Sequence, residues 1–272
     1  MHPRFLHFEA IENARDLGGI KTRDGRTVRS GRLLRCGNLS RATEHDIARL
    51  VKEFALSDVV DFRFPAEAAK DPDRVIPGVR YTALSTLPQK MIDGFSQGRV
   101  NHDEQPTNEE FVQMLVRFAT DPRAQHIGRQ MYPLILTEPH SQEYYGDFLR
   151  TVLQAKGGVV WHCSQGKDRA GLAAAFLLAC LGVDRQGIIE DFNLSNEGFA
   201  APLAMLSQKV RDMGGDQDAL DFIQAMVGVS VKNFERGLNL IDEQFGSLES
   251  YITNQLGFSS AEQQALRDKY LL

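Results

Sequence analysis

A cysteine follows a β-branched run and precedes an arginine by six positions in the stretch VVWHCSQGKDRAG, residues 159–171. A buried cysteine is usually an inert, small apolar residue. That interpretation suits Cys180, inside AAAFLLACLGV, and Cys36, which has no recognisable chemical partner in the sequence. Cys163 is different, because the residues after it become polar at once, where a predicted strand stops and a predicted helix begins. Its position therefore indicates that Cys163 lies in a reactive loop.

A loop in front of a helix N-terminus presents unpaired backbone N–H groups and a partial positive charge. Such groups stabilise a thiolate and can hold the oxygens of a phosphoryl group. Gly166 permits the tight turn that the loop needs. The planar guanidinium of Arg169 can hold two phosphoryl oxygens at once, and Lys167 adds a second cation. These residue types at this spacing indicate phosphoryl transfer with Cys163 as the nucleophile.

The segment HCSQGKDRAG resembles the Cys-x5-Arg signature of the protein tyrosine and dual-specificity phosphatases. Its GKDR core is most similar to the bacterial group that contains the mycobacterial protein tyrosine phosphatase B. Other segments resemble recurrent segments of that group in the same order: NARDLGG (13–19), RSGRLLRCGNLS (29–40), VVDFRFPAE (59–67) and LESYITNQLGFSSAEQQALRDKYL (248–271). The resemblance therefore covers nearly the whole chain, and it implies a cysteine-dependent protein-tyrosine phosphatase.

The resemblance implies a role for each residue of the loop. Cys163 would attack phosphorus and form a phosphocysteine that water then cleaves, and Arg169 would bind the phosphoryl group and stabilise the transition state. His162 would support the cysteine through a hydrogen bond of its ring. A lysine-aspartate pair in the loop is linked in this group to activity on phosphoinositides as well as phosphotyrosine, and Lys167 and Asp168 match it. The substrate-binding residues would be Ser164, Gln165, Gly166, Lys167, Asp168 and Arg169; no metal or other cofactor is implied.

The general acid has two candidates. Many tyrosine phosphatases take it from a Trp-Pro-Asp loop, but the one tryptophan, Trp161, lies in the predicted strand. Asp168 has the advantage that it lies inside the loop. Asp61, at the end of the VVDF strand, could act instead, or it could form an ion pair with Arg63 beneath the loop. Either carboxyl must carry a proton before the leaving group departs. Asp168 is preferred, and Asp61 stays open.

Ala170 departs from the pattern of these families, in which a threonine or serine commonly follows the arginine. Its missing hydroxyl leads us to expect slower hydrolysis of the covalent intermediate. An inositol-polyphosphate or small phosphoester hydrolase is an alternative that uses the same loop. A phosphate-binding pseudophosphatase is a third interpretation, against which the intact Cys163 and Arg169 argue.

Hydrophobic patterning around the loop predicts one α/β domain over residues 1–272. Asp24-Gly25 predicts a hairpin turn, a helix is predicted after Thr43, a strand over 57–62, and helices over 141–155 and 169–182. The second half is predicted to be mainly helical, with Ser259 capping the last helix. The resemblance implies the protein-tyrosine-phosphatase-like fold, a mostly parallel central sheet flanked by helices. Residues 84–140 are predicted to hold a candidate lid, with a helix that begins after Thr107.

For two polar segments near the N-terminus, residues 21–35 and 13–19, the sequence allows two interpretations of their role. Six basic side chains between Lys21 and Arg35 are interpreted as a solvated hairpin face, with a patch for an anionic substrate as the alternative. Asn13, Arg15 and Asp16, with Gly18 and Gly19, are interpreted as turning the chain into the hairpin, with support of the loop from below as the alternative.

Composition limits the partners. The 272 residues are 42% hydrophobic and 25% charged with a net charge of -5, which argues against nucleic-acid binding. No apolar run is long enough to cross a bilayer, so membrane insertion is not expected. Three cysteines in this length favour a reducing compartment. We therefore expect a cytoplasmic enzyme with a phosphorylated protein or a phosphoinositide as substrate, and export as an effector as the alternative.

Overall fold

The computed structural model describes residues 2–86 and 121–272, together with residues 113, 117 and 119. The helix expected after Thr107 and the segment 87–112 of the candidate lid lie outside the described residues. The remaining elements are those that surround the cysteine loop.

One five-stranded sheet carries the loop. Its strands in chain order are β1 (Arg15–Asp16), β2 (Leu33–Cys36), β3 (Leu56–Asp61), β4 (Arg80–Ala83) and β5 (Gly158–His162). Their order across the sheet is β1-β2-β5-β3-β4, in which β1 pairs antiparallel with β2 and all other pairs are parallel. The strand that leads to the cysteine is therefore central, with β2 and β3 on either side.

Helices cover both faces of this sheet. They are α1 (Glu44–Lys52), α2 (Pro65–Lys70), α3 (Pro122–Thr137), α4 (Pro139–Gln154), α5 (Asp168–Cys180), α6 (Arg185–Asn193), α7 (Ser195–Gly198), α8 (Ala200–Asp212), α9 (Gln217–Val227), α10 (Val231–Phe245), α11 (Leu248–Asn254) and α12 (Ser260–Tyr270). This mixed architecture, with a mostly parallel sheet and a helical second half, confirms the fold class expected from the sequence. Among the described residues, no helix combines the length and apolarity required to cross a membrane.

The two faces of β5 belong to different cores, because successive side chains of a strand point to opposite sides. Val159 and Trp161 pack in the larger core together with α4, α5 and the C-terminal helices. Val160 packs in the second core, against residues of β2, β3 and α1. Helix α5 has twelve buried residues out of thirteen, as expected for a central helix that is apolar on nearly every side.

Local sequence signals set several helix starts. Thr43 and Asp46 form a capping box at α1, and Ser259 and Glu262 form another at α12, as predicted. The hairpin at Asp24-Gly25 is also confirmed by the antiparallel bridge between residues 21 and 27. One of its six basic residues behaves differently, since Arg35 is completely buried and belongs to the site rather than to a solvated face.

Replacing Trp161 by phenylalanine tests how β5 is joined to α5. The buried indole donates a hydrogen bond of 3.0 Å to the carbonyl of Ala170, and loss of that bond and of ring volume should lower the free energy of unfolding by about 1–3 kcal/mol. Urea unfolding measures the change. The control Val75→Ala, at a side chain that is 80% exposed, should stay within about 0.5 kcal/mol; equal effects of the two substitutions would contradict the packing described.

Candidate active site

Three strand ends meet beneath the cysteine. In the parallel part of the sheet, His162 pairs with Cys36 on one side and with Asp61 on the other. These residues are the last of β5, β2 and β3, so the loops that follow the three strands leave the sheet at the same edge. Cys163 is the first residue of the central loop and is only 3% exposed.

Two asparagines from neighbouring loops bind the backbone carbonyls of the cysteine loop. The carbonyl of Ser164 accepts hydrogen bonds from the backbone N–H and the side-chain Nδ2 of Asn38, at 3.1 and 3.0 Å. Nδ2 of Asn13 donates to the carbonyls of Gln165 and Gly166, at 3.1 and 3.2 Å. The carbonyl side of these peptide groups is therefore occupied by protein donors.

Arg35 completes this set from β2. Its Nη2 donates to the carbonyls of Gly166 and Lys167, both at 2.9 Å, and its Nη1 donates to Asp191 at 2.9 Å. Because the carbonyls from residue 164 to residue 167 are all bound, the opposite side of the peptide groups is free for an anion. Within the described residues, the N–H groups of residues 164–169 donate no hydrogen bond to another part of the chain. The loop is thus a set of available donors in front of α5.

Asp191 on α6 is the buried counterion of this arrangement. Its carboxylate lies 2.6 Å from Arg4, 2.9 Å from Arg35 and 3.5 Å from Arg15. Burial alone would raise the pKa of Asp191, but the three arginines hold it well below its ordinary value. Burial, followed by repulsion from Arg35, lowers the pKa of Arg15 to about 9, so Arg15 still carries its charge at neutral pH.

Arg15 also orders Asn13. Its Nη1 donates to Oδ1 of Asn13 at 2.9 Å, and its Nη2 donates to Ser195 Oγ at 3.1 Å. The Asn13 amide is thereby turned so that its nitrogen faces the cysteine loop. Asp16 does turn the chain, because its two oxygens accept from the N–H groups of Gly18 and Gly31. The segment 13–19 therefore both turns the chain into the hairpin and supports the cysteine loop from below.

Gly166 is required by the backbone. It has a φ of +66°, in the region that favours glycine. A Cβ atom at this position would collide with the Cys36 carbonyl at the end of β2. The loop passes so close to the neighbouring strand that no side chain fits.

Arg169 is held from one side by Glu67, a residue of α2. Its Nη1 donates to Glu67 Oε2 at 2.6 Å and to the carbonyl of Phe62 at 3.2 Å, and its Nη2 donates to Glu67 Oε1 at 3.0 Å. Glu67 also accepts from Ser164 Oγ at 2.7 Å. Nη2 also makes a long contact of 3.5 Å with Ser164 Oγ. Since a guanidinium has five N–H donors, Nε is available for one phosphoryl oxygen, and Nη2 can bind a second oxygen in place of this long contact.

Arg169 and Glu67 each stabilise the ionised form of the other. Burial would lower the pKa of Arg169, but the Coulomb interaction with Cys163 and the hydrogen bonds and charge of Glu67 outweigh it and raise that pKa above its ordinary value. Burial would likewise raise the pKa of Glu67, but the hydrogen bonds and charge of Arg169, together with Ser164, hold it below its ordinary value. Both groups are therefore ionised at neutral pH.

His162 lies under the loop, where its Nδ1 is 3.2 Å from the carbonyl of Cys163. Its Nε2 is 3.0 Å from Asp73. His162, Asp61 and Asp73 are close enough to one another to hold a cation. The cation among them is Arg63, whose Nη2 is 2.8 Å from Asp61 and 2.9 Å from Asp73.

The two candidate acids have different partners. Asp61 accepts from Nε and Nη2 of Arg63 with both its oxygens, at 2.8–3.0 Å, which is the ion pair expected from the sequence as the alternative role of Asp61. Asp168, in the first turn of α5, accepts from the Tyr132 hydroxyl at 2.5 Å and lies 3.0 Å from Lys167 Nζ. Burial, and next the charge of Asp168, raise the pKa of Tyr132 well above its ordinary value, so the phenol stays a donor.

Lys167 is directed away from the free N–H groups of the loop. Its ammonium donates to the carbonyls of Ala225 and Gly228, at 2.9 and 2.8 Å, and its third partner is Asp168. Ala225 lies in the last turn of α9, where a cation is favourable beside the helix C-terminus. Lys167 thus joins the loop to α9 in this structure, and its role as a second cation of the anion site stays a prediction.

Several residues of the site were not singled out in the sequence. Three of them contact loop residues that are 36 to 126 positions away in the chain: Glu67, Asn38 and Tyr132. The fourth, Asp191, contacts Arg35, which is 156 positions away. For Glu67 a signal was present, because Pro65 and Glu67 in FPAE are typical of the first turn of a helix and place a carboxylate directly after β3. For the others, only the fold brings the partners together.

Replacing Arg35 by lysine tests the support of the loop carbonyls. One ammonium cannot reproduce the two bonds to the Gly166 and Lys167 carbonyls and the bond to Asp191, so the loop should lose its order. We expect the affinity for inorganic phosphate, measured by calorimetry, to fall about tenfold. The control Arg32→Lys, at the residue that directly precedes β2, should leave the affinity unchanged. Unchanged affinity in both variants would contradict this assignment.

Replacing Glu67 by glutamine tests its charge through pH. A carboxyl whose folded pKa is lowered stabilises the fold above its unfolded pKa of about 4.5 and loses that contribution as pH falls through the folded pKa. The stability difference between the native protein and Glu67→Gln should therefore be present at pH 7 and shrink below about pH 4.5. Thermal unfolding across this range measures it, with the exposed Glu235→Gln as control. A difference that grows towards acid pH would contradict the pairing.

The chain matches known proteins over nearly its whole length. The tyrosine phosphatase family matches residues 6–272. A Cupriavidus necator protein that carries the name tyrosine-protein phosphatase is 32% identical over 270 residues, which cover 98% of this chain and 88% of that protein. The triple specificity protein phosphatase PtpB of Mycobacterium tuberculosis is 26% identical over 283 residues, which cover 94% and 95% of the two chains. The crystal structure of Pseudomonas aeruginosa TpbA is 20% identical with a TM-score of 0.28, over 74% of this chain and 89% of that one.

The family match and the two named phosphatase relatives agree with the geometry of the site. A cysteine at a strand end, an arginine six positions later and a loop with available N–H groups are together able to hold a phosphoryl group. The enzyme class expected from the sequence, protein-tyrosine phosphatase, is thereby confirmed. From the family match over residues 6–272 and the 32% identity to a relative along 98% of the chain, we conclude that this protein belongs to the tyrosine phosphatase family.

Proposed function

We propose that this protein hydrolyses phosphotyrosine through a phosphocysteine intermediate on Cys163. The observation that carries the proposal is the loop of residues 163–169, whose carbonyls are bound by Asn13, Arg35 and Asn38 while its N–H groups remain available. Donors that are already oriented stabilise the charge of a pentacoordinate phosphoryl group without further reorganisation. A thiolate at the base of these donors is placed for in-line attack.

In the first step, the Cys163 thiolate attacks phosphorus and the bond from phosphorus to the tyrosyl oxygen breaks. Arg169 holds two phosphoryl oxygens through Nε and Nη2, the latter in place of its 3.5 Å contact with Ser164 Oγ, and the loop N–H groups hold the third. The leaving phenolate takes a proton from the general acid. In the second step, water attacks phosphorus, the acid takes back a proton, and the sulfur–phosphorus bond breaks to release inorganic phosphate.

We infer that Asp168 is the general acid. Support comes from the partners of the two candidates, because Asp61 is paired with the guanidinium of Arg63 through both oxygens, whereas one oxygen of Asp168 faces only the neutral hydroxyl of Tyr132. A bound phosphoryl group brings negative charge to the loop, and like charges favour the protonated form of a neighbouring carboxyl. The slower second step expected from Ala170 remains a prediction.

Substrate breadth is the second part of the proposal. The resemblance to the dual-specificity phosphatases implies activity on phosphoserine and phosphothreonine, and the lysine-aspartate pair of the loop implies activity on phosphoinositides. The name triple specificity of the mycobacterial relative supports that breadth. In the present structure the Lys167 ammonium is bound by two carbonyls of the α9 end and by Asp168. Contact between Lys167 and an inositol headgroup would require these bonds to break, so we rank phosphotyrosine first.

The compartment is proposed as the cytoplasm. All three cysteines are free and buried thiols, which fits a reducing environment.

Hydrolysis of para-nitrophenyl phosphate by three variants tests the mechanism. Cys163→Ser should remove turnover, because serine is not ionised at neutral pH. Asp168→Asn should lower kcat by about 10²–10⁴-fold. Asp61→Asn should lower kcat less, because Asp61 only pairs with Arg63 beneath the loop. A native protein no faster than Cys163→Ser would overturn the proposal. A larger loss in Asp61→Asn than in Asp168→Asn would move the acid role to Asp61.

A further inference from the structure

A polar cavity adjoins the cysteine loop on the side of β2. It has a volume of about 250 Å³ and shares Ser164 and Gln165 with the loop. Its remaining polar walls come from the segment before β1 and from the segments after β2 and α2, and include Glu12, Asn38, Arg41 and Asp71. A group bound in the loop would therefore lie beside this cavity.

Some polar groups of the cavity are already used to hold the loop. Asn38 donates to the Ser164 carbonyl and accepts from the backbone N–H of Ser40 at 3.1 Å. The three charged side chains are different. Among the described residues, the side chains of Glu12, Arg41 and Asp71 take part in no hydrogen bond or ion pair, and all three residues are exposed.

The charge of the cavity is negative. Two carboxylates and one guanidinium leave one net negative charge at neutral pH. The adjoining loop has the opposite character, since Arg35 and Arg169 face it and its N–H groups are free. A second phosphate beside the first would meet Glu12 and Asp71, whereas a cationic group would be attracted to them.

The size of the cavity suits a single side chain. Pockets that enclose whole small-molecule ligands measure about 300–1,000 Å³, and this cavity is smaller and is bounded on one side by Ser164 and Gln165 of the loop. An extended peptide advances about 3.3 Å per residue, so a residue close to the phosphorylated one can place its side chain there. A long basic side chain satisfies both the volume and the charge.

We propose that this cavity is a substrate subsite that binds a lysine or arginine of a phosphoprotein near the phosphorylated residue. The inference rests on the proposed function, because it assumes that the phosphorylated side chain occupies the cysteine loop. It adds the class of sequence that the enzyme prefers: phosphopeptides with a nearby basic residue, rather than lipids or inositols with clustered phosphates.

Phosphotyrosyl peptides with one variable position test the subsite. Each peptide carries either lysine or glutamate at one of the three positions before or after phosphotyrosine, with alanine elsewhere. We expect the lysine peptide to exceed its glutamate partner in kcat/KM by about fivefold at one or more positions, mainly through KM. The ratio should decrease at high salt, because the charges are exposed.

Charge variants attribute this preference to the cavity. The double variant Glu12→Gln/Asp71→Asn should bring the ratio close to one, and Arg41→Gln should increase it, because it removes the repelling cation. The matched control Glu235→Gln/Glu243→Gln, which removes two exposed carboxylates of α10, should keep the native ratio. None of these variants should change the hydrolysis of para-nitrophenyl phosphate, which does not reach the cavity.

Two groups of results would overturn the subsite. One is a lysine-to-glutamate ratio near one at all six positions, or a ratio that persists in Glu12→Gln/Asp71→Asn. The other is a faster reaction with a soluble phosphatidylinositol bisphosphate than with every lysine peptide. Failure of the proposed function is recognised separately, as para-nitrophenyl phosphate turnover no faster than that of Cys163→Ser. In that case, dissociation constants of the same peptides for Cys163→Ser, measured by fluorescence anisotropy, still decide whether the cavity prefers lysine.

Discussion

The binding of the loop carbonyls by side chains from other parts of the sheet edge is the interaction on which the site depends. A peptide group is held with its N–H towards an anion when its carbonyl is bound on the opposite side, and for the buried Gly166 and Lys167 a carbonyl without a partner would also be costly. Asn38, Asn13 and Arg35 provide these partners for four successive carbonyls. The segments 13–19 and 29–40 are therefore as much a part of the phosphate site as the loop itself.

Burial of the arginines beneath the loop has an electrostatic consequence. Arg4, Arg15 and Arg35 share one carboxylate, Asp191, in a region almost closed to water. An excess of buried positive charge is unfavourable by itself. Under the proposed function, a phosphoryl group bound above the arginines would supply the missing negative charge. The same excess that costs stability in the free protein would then favour binding of the phosphoryl group.

The loop could be interpreted from the sequence because its chemistry is local. Cys163, Gly166 and Arg169 lie within seven residues, and their roles follow from a strand end, a tight turn and a helix start. The element types were also predictable, since the caps at Thr43 and Ser259 and the apolar helix α5 are encoded in short segments.

The partners of the loop were not predictable in the same way. Glu67 lies 102 positions from Arg169, and Asp191 lies 156 positions from Arg35, so only the packing of α2 and α6 against the sheet reveals them. Lys167 shows the same limit. Its place in the loop indicated an anion contact, and nothing in the sequence indicated the two carbonyls at the end of α9 that its ammonium binds in this structure.

The central claim is that the anion site positions a phosphoryl group on the sulfur of Cys163. Acid quenching of the enzyme during turnover of para-nitrophenyl phosphate, followed by peptide mass spectrometry, tests it most directly. The account predicts a single phosphate adduct on the peptide that contains Cys163, located on the cysteine by fragmentation. A phosphate adduct on another residue, or turnover that proceeds with no adduct at any quench time, would contradict it.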